Sequence, residues 1–131
     1  MKFENNWRNK TLEALEKSNW GPDTFGSHLT STIHQLRKKV LNDFTIEDLR
    51  IAIGQQMGLT YLIPIALEVL KDDLFAEGDF YEGDLLQAVL NIDGRFWNDN
   101  MAYRLEMCSL IGQYEEEIQE RKIDATVFLT K

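Results

Sequence analysis

Apolar residues recur every three or four positions along most of this chain, and that spacing predicts helices. Trp7, Leu12 and Leu15 mark a first helix from about Asn6 to Ser18, ended by the Asn19-Trp20-Gly21-Pro22 breaker. Leu29, Ile33, Leu36 and Val40 mark a second, from about Thr24 to Lys39, whose closing Arg37, Lys38 and Lys39 complement the negative end of the helix dipole. Thr45 is placed to cap a third helix, with Glu47 and Asp48 favouring its positive end and Ile46, Leu49, Ile53 and Met57 as its buried stripe up to Gly58. The fourth, from about Thr60 to Lys71, is apolar nearly all round and therefore central. Pro64 fits that helix only in its first turn, where a missing amide donor costs nothing.

A loop rich in Asp, Glu and Gly comes next, from about Asp72 to Gly83. A short helix from Asp84 to Asn91 then turns Leu85, Leu86, Val89 and Leu90 inward, and Asp93-Gly94 reads as a turn. Asn98 or Asp99 caps a last, longer helix to about Arg121, with Met101, Leu105, Cys108, Ile111 and Ile118 near one face. The tail DATVFLTK reads as irregular. Strand-like alternation and hairpin turns are missing from the pattern, so the expected fold is all-α: a single domain over residues 1–131, a bundle of five or six helices with an acidic, glycine-containing loop.

Composition supports a packed core and narrows the setting. A chain of 131 residues with 44% apolar and 11% aromatic content can bury enough surface to fold without a disulfide staple. Its lone Cys108 lies in a helical pattern between Met107 and Leu110, which reads as a small core residue in a reducing compartment. MKFENNWRNK has no apolar run after its basic residues, so no signal peptide is expected, and the apolar stretch from Tyr61 to Leu67 is far below the ~18 residues of a membrane span. A cytoplasmic protein without membrane attachment is the expectation. Net charge is −8, and it is unevenly spread: residues 1–50 carry +1 and residues 51–131 carry −9. Such a field repels nucleic acid and anionic lipid and attracts basic partners, although an acidic surface also serves plain solubility.

Chemistry is sparse. His28 and His34 are six apart, which does not place them on one helix face, so no metal centre is expected, and neither a nucleophile motif nor a phosphate-binding loop occurs. Paired carboxylates are the one enzymatic option, since Asp72, Asp73, Glu77, Asp79, Glu82 and Asp84 lie close in sequence. A calcium loop would alternate ligands around one glycine, whereas Gly78 and Gly83 here bracket Phe80-Tyr81. No cofactor and no catalytic residue is assigned. The stretch EGDFYEGDLL has two readings. Structurally, Gly78 and Gly83 supply a left-handed backbone, Phe80 plugs the core, and Asp79 and Asp84 accept hydrogen bonds from loop or helix-end amides. Functionally, the same carboxylates and Tyr81 form an acidic, aromatic knob for a basic surface.

The run EDLRIAIGQQMGLTYLIPIALEVL, followed by LFAEGDFYEGDLLQAVL, resembles an all-helical family of immunity proteins from bacterial contact-dependent growth inhibition systems. The resemblance covers roughly Leu36 to Leu90 and rests on the order IGQ, Gly58-Leu59, Tyr61, Pro64, EGDFY and GDLL. It implies a protein that binds, one to one, the toxic C-terminal domain of a large surface-exposed protein delivered by neighbouring cells, and it brings no catalytic residues. Many such toxins are nucleases, basic because they hold phosphates, so an acidic inhibitor can occlude them by charge complementarity. If the loop recurs across immunity proteins facing different toxins, Glu77, Asp79, Tyr81, Glu82 and Asp84 are better read as scaffold. Specific contacts are then expected at Asp72 and Asp73 and on the exposed face of the last helix, at Glu115, Glu116, Glu117 and Glu120 with Tyr114 as aromatic anchor. The competing readings are a carboxylate-based metal-dependent hydrolase and a general acidic adaptor.

Overall fold

A computed structural model describes residues 5–17 and 28–125 of the chain. Among them run eight α-helices: α1 (Leu12–Glu16), α2 (His28–Arg37), α3 (Ile46–Gly54), α4 (Leu59–Asp72), α5 (Asp84–Leu90), α6 (Gly94–Asp99), α7 (Met101–Gln113) and α8 (Glu115–Glu120). Short 3-10 turns at Trp7–Asn9 and Leu41–Asp43 complete the elements, and the fold is an all-α bundle. The breaker at residues 19–22, the start of the second helix near Thr24 and the tail beyond Ala125 lie outside the described residues.

α4 is central. It buries Leu62, Ile63, Ala66, Leu67 and Leu70, against which α3 contributes Leu49, Ala52 and Ile53 and α7 contributes Met107, Leu110 and Ile111. α5 packs on α3 through Leu85, Leu86, Val89 and Leu90, the four residues its spacing points inward. Each buried side chain of this size stabilises the fold by roughly 1.5–3 kcal/mol relative to exposure. α3 begins in a complete capping box: the Thr45 hydroxyl accepts from the Asp48 amide at 3.1 Å and the Asp48 carboxylate accepts from the Thr45 amide at 3.0 Å.

Several expectations are corrected. The first helix is shortened to α1 because Lys10 is extended and Thr11 caps the helix at Leu12, its hydroxyl accepting from the Ala14 amide at 3.1 Å. α2 ends at Arg37 and not at Lys39, and the basic triplet at and after its end does more than face a dipole: buried Arg37 pairs with Glu16, and Lys39 reaches Asp48 at 2.6 Å. α3 stops at Gly54, and Gly58, at φ +63°, instead starts α4. With α4 beginning at Leu59, Pro64 sits in the second turn, so the helix runs through it. A prolyl nitrogen offers no bond to the carbonyl four residues back, here that of exposed Thr60, which water can serve.

The last third differs most. Asp93 does not close a simple turn but caps α6, its carboxylate accepting from the Arg95 amide at 2.8 Å. Neither Asn98 nor Asp99 caps α7; the residue before it is Asn100, whose side-chain amide donates to the Phe96 carbonyl at 2.8 Å. The long final helix is broken at Tyr114 into α7 and α8, and eight helices stand among the described residues where five or six were expected. Met101 and Leu105 do not share the buried face with Ile111 and Ile118; they are 51% and 63% exposed. α7 carries apolar residues on both sides, so periodicity alone could not select the inner one.

Candidate functional site

Glu47 and Arg50 lie three apart on the first turns of α3, close enough on a helix surface to pair, and the Arg50 guanidinium binds the Glu47 carboxylate with two nitrogens. Asp84 opens α5. It is 4% exposed, with its carboxylate 3.8 Å from Arg50 Nε. Because α3 packs on α5, these three side chains meet beneath the segment from Gly78 to Tyr81. The two carboxylates bind four successive backbone amides of that segment. Asp84 accepts from Gly78 at 2.7 Å, Phe80 at 3.1 Å and, at longer range, Tyr81 at 3.5 Å, while Glu47 accepts from Asp79 at 2.9 Å.

The glycines divide their work differently from expectation. Gly83 has φ +91°, a backbone conformation that favours glycine, and lies close against the Ile123 side chain. Gly78 is not left-handed: a Cβ there would stand 2.5 Å from the Glu47 carboxylate, so glycine is required for close approach. Phe80 does not plug the core either. It is 67% exposed, with the Arg50 guanidinium stacked 4.4 Å from its ring centre. Bound on one face by a paired cation, the ring stays at the surface. Tyr81 beside it is 49% exposed. Asp84 meets the expected acceptor role, whereas at Asp79 it is the residue's own amide that is held.

Glu77 and Glu82 face one another across an isolated antiparallel bridge at the base of this tip, and both are exposed, as is Asp79. Glu82 accepts from Arg121 at 3.0 Å, and the same guanidinium covers Phe75 at 4.0 Å. Arg121 therefore ties the end of α8 to the loop. Asp72 and Asp73 are exposed at the end of α4, where the Asp73 carboxylate accepts from the Phe75 amide at 3.1 Å and fixes the turn into the loop. Tyr114 is 40% exposed at the break between α7 and α8. Glu115, Glu116 and Glu120 are exposed and Glu117 is half-buried; none of the four makes an ion pair among the described residues. The loop start and the end of α8 thus border a common region through Phe75 and Arg121.

Charge pairing shifts the acids of α3. The Arg50 guanidinium holds the Glu47 carboxyl below its ordinary value of 4.5, with the Asp79 amide helping. Burial pushes Asp48 up, but hydrogen bonds from Lys39 and Thr45 outweigh it and leave its carboxyl below the usual 3.8. Phe80 and Tyr81, with Gln87 of α5, Asn91 just past its end and Gly54 of α3, border an open cleft of about 220 Å³. Among the described residues no group of three His, Cys, Asp or Glu side chains converges to hold a metal ion, and no helix is long and apolar enough to cross a membrane. With their oxygens taken up by amides and Arg50, Glu47 and Asp84 hold the loop in shape.

The sequence pattern missed Glu47, Arg50 and the outward Phe80. The i, i+3 spacing of Glu47 and Arg50 signals only their mutual pairing; their link to a loop more than thirty residues later carries no local mark. No curated protein matches the chain. A family model described as CDI immunity proteins matches residues 13–107, a span that contains α3, α4, α5, the loop and the carboxylates beneath it.

Proposed function

Because the chain belongs to the CDI immunity proteins, a family of toxin-neutralising immunity proteins that bind a cognate CDI toxin, we propose that it binds the C-terminal toxin domain of its own system's effector, one to one, and that this toxin is a nuclease. Neutralisation works by occlusion and involves no catalysis by this chain. The observation that carries the reading is the placement of charge: residues 51–131 carry −9, and exposed carboxylates at Asp72, Asp73, Glu115, Glu116 and Glu120 stand without basic partners among the described residues. A nuclease surface built to hold phosphates is basic, so the two fields attract, and electrostatic steering raises association to as much as ~10⁸–10⁹ M⁻¹s⁻¹ at low salt. Asp72, Asp73, Glu115, Glu116, Glu117 and Glu120 are proposed to meet that basic surface, with Tyr114 as an aromatic contact among them.

Co-expression with the toxin domain encoded immediately upstream tests the reading directly. Growth is rescued and the two proteins purify together; failure of both with every neighbouring toxin domain overturns it.

A further inference from the structure

Adjacent aromatic side chains on a loop gain free energy by turning toward apolar neighbours. Here the fold prevents that. Four successive amides, from Gly78 to Tyr81, are bound by Glu47 and Asp84, and both carboxylates are in turn held by Arg50. Gly78 has no room for a side chain over this carboxylate pair, and Gly83 is fixed by its backbone conformation and by Ile123. A buried acid, a paired arginine and two glycines therefore hold a rigid backbone whose two aromatic side chains face water at 67% and 49% exposure. The backbone of this stretch is scaffold. Its rings are not part of the core.

We infer that Phe80 and Tyr81 form a preorganised docking tip that inserts into a basic groove of the toxin. The inference rests on the toxin-neutralising reading and deepens it by naming a contact outside the acidic patches. With one face of Phe80 covered by Arg50 and Glu82 held by Arg121, the outer ring faces flanked by exposed Glu77 and Asp79 present aromatic surface and negative charge together, the combination that a groove for stacked bases and phosphates accepts. A second copy of this chain is a poor occupant, because it would bring the same carboxylates against these and a net −8 against a net −8. Preorganisation adds affinity: the loop loses little conformational freedom on binding, and aromatic side chains in such positions dominate interface energetics.

The test measures binding of the upstream-encoded toxin domain to the full chain and to its Phe80→Ala, Tyr81→Ala and doubly substituted variants by surface plasmon resonance, with urea unfolding of each variant alongside. Both single variants are expected to raise Kd at least tenfold, mainly through faster dissociation, while Tyr81→Ala leaves the unfolding midpoint near that of the parent. A merely structural role would instead move the midpoint and leave the dissociation rate of the folded fraction unchanged, and that result overturns the inference. Parental affinity in all three variants overturns it alone and leaves the toxin-binding reading standing. Absence of binding by the parent chain overturns both. Sedimentation that shows a dimer of the parent dissociated by these substitutions reassigns the tip to self-association and also overturns it.

Discussion

Replacing Asp84 by alanine removes the acceptor of three amides and leaves Arg50 with Glu47 as its carboxylate partner. A donor left without a partner away from water costs about 1–3 kcal/mol, and three part-buried amides lose theirs, while Arg50 keeps Glu47 and is not left as an uncompensated charge. We expect Asp84→Ala to lower unfolding free energy by about 3 kcal/mol or more in urea titrations, and Asp84→Asn, which keeps an acceptor oxygen, to lower it by clearly less. Equal losses would show that charge opposite Arg50, and not amide acceptance, is what the site requires. At this scale the sequence was half legible. A carboxylate at the start of a helix after Gly83 reads as an amide acceptor on local grounds, but that it binds the amides of Gly78 and Phe80 beneath an outward ring depends on α3 arriving from far along the chain.

The first turn of α3 holds two of the acids that make the fold acid-sensitive, beside Glu68 and Asp93 elsewhere. Glu47 and Asp48 both titrate below their ordinary values, so at mildly acidic pH the unfolded chain binds more protons than the folded one. Their contribution is complete above the unfolded values of 4.5 and 3.8 and is lost as pH falls through the lower folded values. Stability should therefore decline below about pH 4.5, and Glu47→Gln should flatten the upper part of that decline in a series of urea midpoints against pH. A slope unchanged by the substitution would remove Glu47 from this role. α5, with one apolar stripe, was readable to within a residue, and α3 at its Thr45-capped start, though its end lies at Gly54 and not at Gly58. α7 and α8 were not, because Met101 and Leu105 extend an apolar pattern on the outer side and the break at Tyr114 is marked only by Gly112 inside the last turn of α7, a glycine that a continuous helix also tolerates. Asp93-Gly94 misled for a related reason: an aspartate that opens a turn and one that caps a helix bind the same kind of amide.

Across the whole molecule, basic side chains are largely engaged by carboxylates: Arg8 by Glu68, Arg37 by Glu16, Lys39 by Asp48, Lys71 by Glu106 and Arg121 by Glu82. What remains on the described surface is an excess of unpaired acid. Charge reversal of Asp72 and Asp73 to Lys, or of Glu115, Glu116 and Glu117 to Lys, should slow association with the toxin about tenfold at low salt and flatten its dependence on ionic strength, as read by stopped-flow mixing. Unchanged rates in both variants would exclude these patches. The break at Tyr114 has a consequence for how such a protein can diversify. α8 buries a single side chain, Ile118, so its remaining positions are tied to the core by little. Substitutions on such a surface usually change stability by less than about 0.5 kcal/mol. A short helix anchored by Ile118 and tied at its end by Arg121 can exchange its outer chemistry from lineage to lineage as a toxin changes, while the bundle that keeps the cell's antidote folded is left as it was.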